Sequence, residues 1–187
     1  MPPRSYGEVV FSLKKLQIAS YNILTDVMGT PVDLPEAQKL EFAFIADNDQ
    51  IKAEGALTHL LSVITHGTFK MSNAGLSFEA LAAITGASNA SSGTTPTRSR
   101  KFRTAAGGDG LPYFTIAGKM SAEGGADFHV GLAVCKLDTM PSWTFEQNKF
   151  VLSEMAGKCI QRSGGKVVYI DAHETATDIN FTDLFSS

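Results

Sequence analysis

Apolar residues along this chain recur mostly at every second position, the spacing that sends side chains alternately to the two faces of a strand. In residues 9–18, Phe11 and Leu13 share one face, and Leu16 and Ile18 resume the alternation after the Lys14-Lys15 pair. A long strand with one extra, bulged residue accounts for that slip. Leu40, Phe42 and Phe44 alternate with Glu41 and Ala43 and predict a half-buried strand. The strongest hairpin signal joins residues 113–120 to 128–137 through a turn at Gly124-Gly125. Phe128, Val130, Leu132 and Val134 fall on one face of its second strand, with His129, Gly131, Ala133 and Cys135 opposite. Side chains that small predict close approach by another layer or chain. Residues 143–150, 151–160 and 166–170 read as further strands, and 178–187 as an extended end.

The period changes to that of a helix at residues 77–86. Ser77 is placed to cap the first turn, Glu79 sits where the helix dipole favours a negative charge, and Gly86 can close the helix in the left-handed conformation. So short a helix needs a sheet to lie on. Residues 56–66 fit either period, and their bounding glycines with the β-branched Val63-Ile64-Thr65 favour a strand. Gly29-Thr30-Pro31 and Leu34-Pro35 mark surface turns, residues 47–55 form a polar, acidic arm, and residues 87–97, rich in Ser, Thr, Asn and Gly, read as a flexible loop. The expected architecture is mainly β: a β-sandwich or barrel of about eight strands with one short flanking helix, as a single domain over residues 1–187.

Composition narrows the function. With 43% apolar residues and 17 aromatics the chain can build a core, and sixteen basic against nineteen acidic residues leave a net charge of −3, too little to hold a nucleic acid backbone over the whole chain. Cys135 and Cys159 are too few to staple the domain and read as free buried thiols. No apolar run spans a bilayer, and the Met1-Pro2-Pro3-Arg4 start lacks a signal-peptide core, so a cytosol-like compartment is expected. His59, His66, His129 and His173 lack metal-ligand spacing; Asp171, His173 and Glu174 form the best local acid and base group, and read as a polar strand end. No nucleophile elbow or phosphate loop is present, so no catalytic residue, metal or cofactor is expected. Arg98, Arg100, Lys101 and Arg103 form a basic run around Phe102, a pattern that fits a single-strand grip with Phe102 stacking on a base but reads first as a solvated face. It is opposite in sign to the arm with Asp47, Asp49, Ile51, Lys52 and Glu54. Complementary patches on one chain suit head-to-tail contact between identical copies, which makes these nine residues the candidate inter-subunit contacts.

The succession of segments resembles the major tail tube proteins of long-tailed bacteriophages. The similarity rests on Gly29-Thr30-Pro31-Val32-Asp33-Leu34-Pro35-Glu36-Ala37-Gln38-Lys39-Leu40-Glu41-Phe42, the arm Asp49-Gln50-Ile51-Lys52-Ala53-Glu54-Gly55, the block Asn73-Ala74-Gly75-Leu76-Ser77-Phe78-Glu79-Ala80-Leu81-Ala82-Ala83-Ile84-Thr85-Gly86, and Pro112-Tyr113-Phe114-Thr115-Ile116-Ala117-Gly118. The resemblance implies a non-enzymatic virion protein, assembled in the host bacterial cytoplasm, whose hexameric rings stack into the tail tube through which DNA is delivered. Its implied partners are further copies of itself and the tail tip or baseplate, tape measure and tail terminator proteins, with viral DNA passing unbound and no membrane. It also implies that the arm reaches a neighbouring ring; the basic run has no place in that pattern. The alternative is a ligand-binding β-sandwich module for a carbohydrate or receptor, with Trp143 and Tyr113 as its candidate aromatics.

Overall fold

Alternating strands build one large antiparallel sheet whose central portion is buried on both faces. The computed structural model describes residues 10–53, 56–75, 77–103, 110–122, 125–141 and 153–186. In chain order these hold β1 (Val10–Asn22), β2 (Val27–Met28), β3 (Val32–Leu34), β4 (Ala37–Ala53), β5 (Ala56–Asn73), α1 (Phe78–Thr85), β6 (Ser88–Ser92), β7 (Ser99–Arg103), β8 (Tyr113–Ala122), β9 (Asp127–Leu137), β10 (Ser153–Ile160), β11 (Val168–His173) and α2 (Phe181–Leu184). The main sheet runs β2-β1-β8-β9-β10-β5-β4, with β3 also on β1 and β11 also on β9; β6 and β7 form a separate two-stranded sheet.

Strand β9 divides the sheet into layers. One edge pairs with β8, while the other pairs first with β11, at residues 127–132, and then with β10, at residues 134–137. At the fork, Ala133 and Val134 together oppose a single residue of β8, because the register slips between Phe114/Cys135 and Ile116/Leu132. This bulge reverses the parity of the strand. Val130, Leu132, Cys135 and Leu137 enter the inner core, whereas Ala133 and Val134 enter the outer one. The sequence pattern therefore misplaces Val134, which alternation alone puts beside Leu132. The slip expected at Lys14-Lys15 does occur, where β1 shifts register against β8 between Leu13 and Lys15.

The inner core packs Leu16, Ile18, Phe114, Ile116 and Leu132 against Phe69 and Met71 of β5 and Ala80 and Ile84 of α1. Phe69 and Phe114 meet edge to face with ring centroids 5.9 Å apart. Full burial of side chains this large contributes about 1.5–3 kcal/mol each. The outer core sets Phe181, Leu184 and Phe185 on Ala19, Ala117, Ala133, Val134 and Tyr169. The layer expected over the small residues of β9 is thus the chain's own end: a Cβ on Gly131 would stand 2.8 Å from the Phe185 ring.

Helix α1 forms where its sequence signals it. Ser77 Oγ accepts from the Ala80 N–H at 3.2 Å, and Gly86, at φ 71°, donates its N–H to the Ala82 carbonyl. Three expectations change. Residues 87–97 contain β6, the extended end contains α2, and residues 47–53 of the arm continue β4 as a strand. Here β6 is held by pairing with β7 and the arm by pairing with β5, in each case the strand that follows it in sequence, while α2 is capped by Asn180 and seated on β9. The strand expected at residues 143–150 lies outside the described residues.

Candidate functional site

The β4–β5 hairpin is the feature that the core does not explain. Only residues 67–73 of β5 pair with β10, so from Ile45 outward the two long strands hold only each other among the described residues. Nine residues of strand from Ile45 to Ala53 extend the hairpin by about 30 Å at roughly 3.3 Å per residue. Apolar side chains line this hairpin: of twelve large hydrophobic residues exposed among the described ones, Ile45, Leu61, Val63 and Ile64 lie on the projection, and Phe42 and Phe44 at its base. Phe44 and Leu61 are 49% and 61% exposed. Strand β4 is also a terminal strand of the sheet, paired only with β5 among the described residues.

Sequence-predicted contact residues occupy two places. Asp47 is exposed on β4 opposite Val63, and the backbones of Asp49, Ile51 and Lys52 pair with Leu61, His59 and Leu57 toward the hairpin end. Glu54 lies outside the described residues. Arg100, Lys101 and Arg103 lie on β7, with Arg98 just before it. Alternation sorts them. Arg100 and Phe102 face α1, where Arg100 pairs with Glu79 at 3.3 Å and the Phe102 ring stacks on Phe78 at 6.0 Å. Phe102 is therefore occupied as a packing residue rather than presented as a platform for a base. Arg98 donates to Ser91 Oγ at 3.3 Å, and Lys101 and Arg103 are exposed on the opposite face of the strand. The structure thus sets the acidic and basic segments on separate hairpins.

A second polar group gathers where β8, β9 and β11 meet the chain end. Asp171 was legible as part of an acid and base group, and register places it opposite His129, while His173 lies opposite Asp127. Neither partner was marked by local spacing, because strand pairing brings them together. The buried Asp127 carboxylate accepts from Lys119 Nζ at 2.9 Å and from the Thr177 N–H at 2.7 Å. His129 Nε2 lies 3.1 Å from the Thr177 carbonyl, which can only accept, so this nitrogen carries the proton. Burial and the His173 ring, 4.5 Å away, lower the pKa of His129. Burial pushes Asp127 up, but the Lys119 ammonium and the Thr177 N–H outweigh it and hold the carboxyl below its usual range. These partners converge on the backbone of Thr177 and fasten the strap that leads into α2.

A matching lock holds the other end of that strap. Tyr21 donates its hydroxyl to Asp26, and Arg162 reaches Asp26 Oδ1 at 2.7 Å and the Phe185 carbonyl at 2.9 Å. The Tyr21 hydrogen bond, followed by that of Arg162, brings the Asp26 pKa down to about 2. Burial, then the carboxylate, pushes Tyr21 up to about 12.

Other surfaces carry less chemistry. A groove of about 620 Å³ is lined by Lys39, Glu41, Lys70 and Glu154, with Lys39 and Glu41 already paired at 2.8 Å. Tyr113 lies under the Lys136 ammonium at 4.9 Å and packs on the outer core, while Trp143 lies outside the described residues. Among the described residues no group of three His, Cys, Asp or Glu side chains is arranged to hold a metal ion, and no helix is long and apolar enough to cross a membrane. Compared with models of known families and with curated proteins, the chain matches none.

Proposed function

We propose that this protein is a self-assembling structural subunit of the tail tube kind, which forms rings that stack into a conduit for viral DNA. The observation that carries the reading is the projecting β4–β5 hairpin, with apolar side chains turned to solvent and absent from both of the subunit's cores. A two-stranded hairpin alone is marginal in water, and exposed apolar residues grouped in this way suit a protein contact. The outer edge of β4 would offer the same partner a ladder of backbone groups. Asp47 and the arm would meet the Lys101 and Arg103 face of another copy, and the tail tip, tape measure and terminator proteins would set where growth starts and stops.

Negative-stain electron microscopy with light scattering tests the reading, on the intact chain and on a variant in which residues 47–63 are replaced by Asn-Gly. The intact chain is expected to form rings or tubes with a central hole, given a tail-tip complex as initiator where needed. The shortened variant is expected to keep its β-sheet circular dichroism and remain monomeric. Tubes of normal length from the shortened variant would remove the hairpin from assembly, and an intact chain that stays monomeric with the initiator would overturn the function.

A further inference from the structure

Strand β10 joins the hairpin-bearing half of the sheet to the rest through a short ladder, residues 157–160 against 134–137. Within that ladder Cys135 and Cys159 are directly opposite each other. Both are buried, at 0% and 1% exposure, and their sulfurs are 2.8 Å apart, against a disulfide bond of about 2.0 Å. Directly opposed residues of antiparallel strands have Cα atoms roughly 4.5–5.5 Å apart, within the range a disulfide spans. The chain has two cysteines in all, so each has a single intramolecular partner.

We propose that Cys135 and Cys159 are a latent cross-strand disulfide, closed by a low-molecular-weight disulfide oxidant, which fastens the β5–β4 half of the sheet to β9. When β10 opens or the chain refolds, one cysteine thiolate attacks glutathione disulfide; a protein–glutathione bond forms and one glutathione leaves as thiolate. The other cysteine thiolate then attacks the protein sulfur of that bond and expels the second glutathione. Two protein thiols are oxidised, one glutathione disulfide is reduced to two thiols, and the protein's two protons pass to solvent or to the departing thiolates. Burial, then the neighbouring Cys159, raises the pKa of Cys135 well above the ordinary thiol value, so the closed strand pair is slow to react and opening gates the exchange. The inference is independent of whether the subunits form tubes.

The test is to refold the denatured, reduced chain in glutathione disulfide and, separately, in dithiothreitol. The oxidised sample is expected to be a monomer 2 Da lighter, to yield a peptide containing the Cys135–Cys159 link, and to unfold at a higher guanidinium concentration than the reduced one. A Cys159→Ala chain treated identically is expected to retain one thiol, or one glutathione adduct, and to lose the difference between the two refolding conditions. Free thiols or glutathione adducts in the intact-sequence chain would overturn the proposal, as would disulfide-linked dimers on a non-reducing gel.

Discussion

His129 couples protonation to the closure of the chain end. Burial and the neighbouring His173 hold its folded pKa below that of the unfolded chain, so unfolding takes up a proton as the pH drops below about 6.5. Its stability contribution is complete above that pH and is lost on acidification; the depressed Asp127 acts in the same direction below about 3.9. The thermal midpoint is expected to fall between pH 7.5 and 5.5, and to fall less in His129→Gln; superimposable profiles for the two chains would show that another group titrates. Gly157 has a different constraint, since a Cβ there would stand 2.1 Å from the Lys136 carbonyl oxygen and 2.7 Å from the Phe69 ring. Gly157→Ala is expected to destabilise by at least about 1–3 kcal/mol, the range for overpacked sites, and by more than Gly131→Ala, whose obstacle is a side chain. Denaturant melts of the two variants measure the difference.

Among the elements, α1 announces both of its ends within its own sequence. Ser77, Glu79 and Gly86 foretell both ends, and Ser77→Ala is expected to lower stability by about 1 kcal/mol, read as a shift in denaturation midpoint. The strands were legible from alternation as far as alternation continues. At Ala133-Val134 it stops, and Val134 changes core without any change in composition to announce it. The arm was legible as polar and acidic, yet its strand conformation comes from pairing with β5, where Leu61, Val63 and Ile64 are exposed. The same limit hid the two cysteines, since their opposition depends on the register of β10 against β9. Phe102 shows the converse: a basic run around an aromatic fits a nucleic acid site by composition, until its ring is found against Phe78.

For the whole molecule, the proposed association would draw on residues that fold stability does not use. Leu61 and Ile64 are exposed on the projecting hairpin and absent from both cores. Replacing both with lysine is therefore expected to leave the unfolding midpoint within about 0.5 kcal/mol per site, while light scattering reports loss of assembly. A large fall in the midpoint of the monomer would instead tie the hairpin to the subunit's own stability. The doubled residue at the fork of β9 carries a consequence for how this chain can vary in length. Because Ala133 and Val134 together oppose one residue of β8, removing either would leave Leu132, Cys135 and Leu137 in unbroken alternation on the inner side, whereas removing the one residue between Val130 and Leu132 would turn one of that pair outward. A single deletion should therefore be accepted at this fork and rejected elsewhere along β9, and insertions tolerated at the Gly164-Gly165 turn, where a Cβ would meet nothing within 4 Å.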